Sequence, residues 1–220
     1  MKELSHYVSF DLEFNQFEGK YHIIQVSAVR FADGQEVAHY DSYAYTDKPL
    51  KSFINGLTGI TSDKILQAPP LEQVLAEFRD FVADSPLIGY NAIKSDLPIL
   101  AENGLEFTDQ YAVDVFEEAS KRRPSDLHGI KNLQLHTVAQ FLGVAGKSHD
   151  SLEDARMTAL VYEAFLESDR ARQLLTEQES FYTSPFSGLD LSNFFNDYKE
   201  AGTTVLVSQL YLDCRARRSG

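Results

Sequence analysis

A chain of 220 residues with 43% hydrophobic and 24% charged side chains has the composition of a globular domain and enough length to bury a core. Nothing in it approaches the ~20 consecutive apolar residues of a membrane span, no apolar stretch of the signal-peptide kind opens it, and its one cysteine, Cys214, allows no internal disulfide, so a cytoplasmic protein without membrane attachment is expected. Its 33 acidic against 20 basic side chains, a net charge of −13, argue against gripping long duplex nucleic acid; a polyanionic substrate would have to be held locally or through cations.

Residues 7–14 alternate, with Tyr7, Ser9, Asp11 and Glu13 on one face and Val8, Phe10, Leu12 and Phe14 on the other, which predicts a strand. Segments 21–31 and 36–46 are rich in β-branched and aromatic residues, and Asp33-Gly34 between them is a hairpin signal, so the three strands form an antiparallel meander. The period then changes. Pro69 and Pro70 precede a helical stripe of Leu71, Val74, Leu75, Phe78 and Phe81. Residues 86–90 read as a buried strand, followed by a short helix with Pro98 near its start and Gly104 just past its end. Residues 110–116 read as another strand. Leu135, Val138, Ala139 and Leu142 mark a helix that Gly143 ends, and a last one begins near Ser151 with Leu152, Ala155, Ala159, Tyr162 and Leu166 on one stripe.

The pattern predicts an α/β domain over residues 1–168, a mixed sheet of five strands flanked by helices. The composition shifts near Ser168, and 169–220 is expected to be a C-terminal extension. It contains Phe181, Tyr182, Phe186, Phe194, Phe195 and Tyr198, too many aromatics for a disordered tail, with a capped helix at 190–201 and a strand at 203–212. It would pack on the domain, on a second copy in a homodimer, or on a polymerase-like partner.

Five residues could carry chemistry. Asp11 and Glu13, two apart on a strand, project to one face with Cα atoms about 6.6 Å apart at ~3.3 Å per residue. They could converge on a divalent cation, or form a solvated acidic face. Asp96 opens a helix just beyond a buried strand, where ligands bind in α/β sheets, although an acid in a first turn also suits the free amides there. Asp150 and Glu153 resemble a capping box. Asp154 has no such explanation: at about 100° per residue it flanks the buried stripe, at the edge of the interface, where an acid could face a cleft. His149 stands just before that helix, on an approach made flexible by Gly143 and Gly146.

In order, "FDLEF" (10–14), "GYNAIKSDLPIL" (89–100) and "HDSLEDA" (149–155) resemble the three motifs of the DEDDh 3′→5′ exonucleases, the family of the proofreading subunit of bacterial DNA polymerase III and related RNases. "INGLTGIT" (54–61) resembles the loop these enzymes place beside the terminal nucleotide, and the match spans residues 7–166. Phe14 and Asn15 stand where relatives often have Thr or Ser, and Ser151 where many have a small apolar residue; neither departure removes a metal ligand.

The resemblance implies an RNase H-like fold and two-metal hydrolysis of a phosphodiester. Asp11, Glu13 and Asp154 would hold one metal, Asp11 would bridge to a second, and Asp96 would help through water. Hard oxygen ligands favour Mg²⁺ or Mn²⁺. His149 would be the general base, its ordinary pKa near 6.5 suiting that task. The main chain at Phe14 and Asn15, the turn containing Leu57 and Thr58, and Asn91 would grip the last nucleotide, with Phe14 either stacking on a base or packed in the core. The implied substrate is the 3′ end of single-stranded DNA, with nucleoside 5′-monophosphates released; an exoribonuclease and a catalytically inactive nucleic-acid-binding protein are the alternatives. The basic run at 121–124 would guide the strand.

Overall fold

The computed structural model describes residues 1–144, 146 and 150–183, with side chains to residue 176. The chain divides into two compact units, Met1–Ala171 and Arg172–Gly220. No helix among the described residues is long and apolar enough to cross a membrane.

The first unit opens with the meander: β1 (His6–Phe17), β2 (Lys20–Ala32) and β3 (Gln35–Tyr43) pair antiparallel. Asp33 and Gly34 both take positive φ, 49° and 75°, as a two-residue turn matched to the strand twist requires. Two short helices follow, α1 (Ser52–Thr58) and α2 (Ser62–Leu66), then α3 (Leu71–Val82), β4 (Leu87–Gly89), α4 (Asp96–Glu102), β5 (Ala112–Asp114), α5 (Val115–Arg122), α6 (Leu135–Phe141) and α7 (Ser151–Thr183). Of the second unit, the described residues are the end of α7.

The five strands run in the order β3-β2-β1-β4-β5, with β4 and β5 parallel to β1. β1 is therefore central, and both of its faces are buried. Val8, Phe10 and Leu12 pack against Val74, Phe78 and Leu100 of α3 and α4; Tyr7 packs with Ala155, Tyr162 and Phe165 of α7. The Phe78 ring is wholly buried, and Phe78→Ala would cost about 3–5 kcal/mol. A smaller cluster of Ile24, Ile54, Ile60 and Ile65 seats α1 and α2 on the sheet.

Three expectations change. The strand over 110–116 is only 112–114, because the Asp114 side chain accepts from the amides of Phe116 and Glu117 and so starts α5 at Val115. The segment 54–61 is no open loop: it is the body of α1, closed by Gly59 in the left-handed conformation at φ 71°, with Ile60 buried after it. The third strand stops at Tyr43, beyond which Tyr45 makes only an isolated bridge to Pro70. Helix α7 runs on through Ser168. The helix and strand expected at 190–201 and 203–212 lie outside the described residues.

Candidate active site

The centre of the sheet presents Asp11 and Glu13 on the face that α7 crosses. Two buried hydroxyls staple that helix to β1: Ser9 Oγ donates to the Ala155 carbonyl at 2.8 Å, and Ser151 Oγ to the Asp11 carbonyl at 3.1 Å. Both serines are wholly buried, so each hydroxyl needs these partners. A register shift between Glu13 and Phe14 follows at once, the kind of bulge that re-aims side chains near a site.

Asp96 arrives from a third element. It opens α4, is buried, and its Oδ1 accepts from the Leu12 amide at 3.3 Å. The approach to α4 is organised by Asp114, whose carboxylate receives the amides of Asn91 at 2.9 Å and Ile93 at 3.2 Å while also capping α5. Asn91 takes φ 62°, which Asn tolerates better than most residues. Just before it, a Cβ on Gly89 would lie 2.3 Å from the Ala92 Cβ, so only glycine lets the loop close this tightly.

The carboxylates act on one another through charge. The Asp11 carboxyl is held well above the usual carboxylate range, first by burial and then by Asp96, Glu13 and Asp154. Burial, then Asp154, Asp96 and Asp150, pushes Glu13 up to about 7. Asp96 is likewise pushed up to about 7 by burial, against the pull of the Leu12 amide. Among the described residues, no cationic side chain is among the causes of these shifts. Among the described residues no group of three His, Cys, Asp or Glu side chains is placed so that it could hold a metal ion as it stands. Like charges spread apart without a counter-charge, and a cation would draw them in. All-oxygen donors from three elements, burdened with one another's charge, fit hard divalent cations.

The remaining expected residues divide. His149 lies outside the described residues. Asp150 caps α7, its Oδ1 accepting from Leu152 at 3.1 Å and Glu153 at 3.3 Å, but Glu153 does not close the box: it pairs with Arg156 at 2.6 Å. Phe14 sets its ring edge-on to Tyr21, centroids 5.2 Å apart, and the two line a small cavity with Ile99 and Pro98. The Asn15 side chain is buried and engaged with the chain itself, donating to Pro49 O at 3.1 Å and accepting from Lys51 N at 3.2 Å, so its main chain is the part offered to a ligand. Thr58 is similarly engaged, its hydroxyl donating to the Ile54 carbonyl and accepting from the Ile60 amide, whereas Leu57 is exposed.

The basic run at 121–124 does not guide a strand through Arg122. That guanidinium is buried against Glu118, Asp126 and Asp169, at 3.7, 3.7 and 2.5 Å, and over the Phe165 ring. Sequence reasoning also missed Ser9 and Asp114. An acid at the start of a helical stretch was the available signal for Asp114.

A family model described as Exonuclease matches residues 8–162. The DNA polymerase III PolC-type protein of Streptococcus suis is 31% identical over 183 residues, covering 80% of this chain but 12% of that protein, so the chain spans only a small part of such relatives. Two solved structures share the fold. The nuclease domain of 3′hExo, described as a DEDDh family member bound to rAMP, matches 74% of this chain and 92% of its own at TM-score 0.62 and 19% identity. E. coli Exonuclease I in complex with a dA16 oligonucleotide matches 73% and 40% at TM-score 0.61 and 15% identity.

Proposed function

Because the chain belongs to this exonuclease family, we propose that it removes nucleotides one at a time from the 3′ end of single-stranded DNA and releases nucleoside 5′-monophosphates. The observation that carries the reading is that α4 and α7 both anchor on β1 beside Asp11 and Glu13, Asp96 of α4 accepting from the Leu12 amide and Ser151, three residues before Asp154 on α7, donating to the Asp11 carbonyl.

Asp11, Glu13 and Asp154 are the residues that would hold a first divalent cation, with Asp11 shared by a second and Asp96 reaching it through water. Two such cations, Mg²⁺ or Mn²⁺ given the oxygen donors, would offset the acids' charge and stabilise both the attacking and the leaving oxygen. The chain's own groups do the rest. Ser151 and the Leu12 amide hold Asp11 and Asp96 in place. His149 takes a proton from the attacking water. The water oxygen bonds to phosphorus, the bond from phosphorus to the 3′-oxygen of the preceding nucleotide breaks, and that oxygen leaves as a hydroxyl after taking up a proton. The main chain at Phe14 and Asn15, the 57–61 turn and Asn91 border the last nucleotide.

DNA is favoured over RNA by the PolC-type relatives at about the 30% level of identity, and a polymerase is then the partner favoured over a second copy, with the extension after Ser168 as the segment that would meet it. Matched 5′-labelled DNA and RNA strands, each with Mg²⁺, with Mn²⁺ and with EDTA, test the reading. Stepwise shortening of the DNA at the higher kcat/KM supports it; faster trimming of the RNA reassigns the substrate.

A further inference from the structure

A polyanion must approach an acidic cluster on a chain of net charge −13, and Arg122, the centre of the 121–123 run, is buried among carboxylates. Cations gather instead at the far end of β1. There Asn15 pairs with His22 and Phe17 with Lys20 across the hairpin. The Asn15 side chain pins Pro49 and Lys51 beside them. This brings the Lys51 ammonium within 3.4 Å of the Gln16 carboxamide, which lies about 10 Å along β1 from Glu13 at ~3.3 Å per residue.

Neither Lys20 nor Lys51 has an acidic partner among the described residues, whereas Lys48 is paired with Asp47 at 2.9 Å. Two residues past Lys51, the Phe53 ring is 61% exposed and stacks on no other ring among the described residues. An exposed aromatic two residues from one unpaired ammonium group, near the hairpin end that carries a second, suits a single nucleic-acid strand, with phosphates on the cations and a base on the ring.

We infer that Lys20, Lys51 and Phe53 form a landing track for single-stranded nucleic acid upstream of the scissile bond, so that the strand reaches the acids along the β1–β2 hairpin. The inference rests on the exonuclease reading above and deepens it. It makes the protein an enzyme of polynucleotides that gains from substrate length, and a dinucleotide ends short of the track.

The test compares kcat/KM for a long oligothymidylate and for the dinucleotide pTpT, in Mn²⁺ over a KCl series, for the wild type, Lys20→Ala/Lys51→Ala and Phe53→Ala. The wild type is expected to prefer the long strand. In the double variant the log–log salt slope falls in magnitude by about 1.4, two phosphate contacts at about 0.7 each. Phe53→Ala is expected to lose length preference on the order of tenfold, as for one stacked base, with the salt slope kept. The dinucleotide rate reports the catalytic centre in every variant. An unchanged salt slope in the double variant overturns the track and leaves the exonuclease reading standing; unchanged length preference in Phe53→Ala removes the ring from it. A wild type that hydrolyses neither substrate overturns the exonuclease reading and the track with it.

Discussion

The hydroxyl of Ser151, in the first turn of α7, donates to the main-chain carbonyl of Asp11 at 3.1 Å across 140 positions of sequence. With the Ser9–Ala155 bond beside it, this fixes where the helix carrying Asp154 crosses the strand carrying Asp11. Ser151→Ala fits the same buried space but leaves the carbonyl without that donor. The expected result is a loss of about 1 kcal/mol in urea denaturation and a several-fold lower kcat. Wild-type values for both would show that the staple does not position the site.

Asp11→Asn and Asp154→Asn each remove one charge from a cluster held together against its own repulsion. Turnover should fall on the order of 10³- to 10⁴-fold, the scale on which a central catalytic group acts. In EDTA, Asp11→Asn should melt at a higher temperature than the wild type, because one member of a mutually repelling buried cluster is gone. A lower melting temperature in EDTA would mean that the Asp11 carboxylate stabilises the fold.

The two motifs that carry Asp11, Glu13 and Asp96 were legible because each sits in a strong local pattern, an alternating strand or a helix start after a buried strand. Helix α1 was not, since Asn55 and Gly56 at its centre are poor helix formers and its stability comes from Ile54 packing under Ile24. The strand at 110–116 was overcalled because Val113, Val115 and Phe116 look alike locally, whereas the Asp114 cap splits them between strand and helix. Half of the capping box failed because Arg156 competes for Glu153. The burial of Arg122 was invisible in the sequence: all three of its acidic partners, Glu118, Asp126 and Asp169, lie outside the run that contains it.

The site should also make the fold sensitive to pH. Glu13 and Asp96 sit at about 7 in the folded chain against ordinary values of 4.5 and 3.8. Between those values the folded state binds more protons than the unfolded chain, so their contribution to stability is full below about pH 4 and is lost as pH rises through about 7. In EDTA, the melting temperature should fall from about pH 5 to about pH 7.5, and excess Mn²⁺ should remove the fall by replacing protons as the counter-charge. A melting temperature that rises over that window in EDTA would contradict the raised values.

Arg122 is predicted to matter for stability and not for chemistry. Arg122→Ala strips the guanidinium from Glu118, Asp126 and Asp169 and should cost about 3–5 kcal/mol, as breaking a buried ion pair does. Thermal denaturation together with kcat per folded molecule checks this. A stable variant with impaired turnover would return the residue to the substrate path.

The claim on which the account turns is that acids from β1, α4 and α7 form one cation-dependent centre working from a 3′ end. A time course on 5′-labelled linear and circular single-stranded DNA, with Mn²⁺ and with EDTA, tests it for the wild type and Asp154→Asn. The expected result is shortening of the linear strand one nucleotide at a time, release of 5′-monophosphates, an intact circle, and no turnover in EDTA or in the variant. Full activity in EDTA, or nicking of the circle by the purified protein, would contradict it.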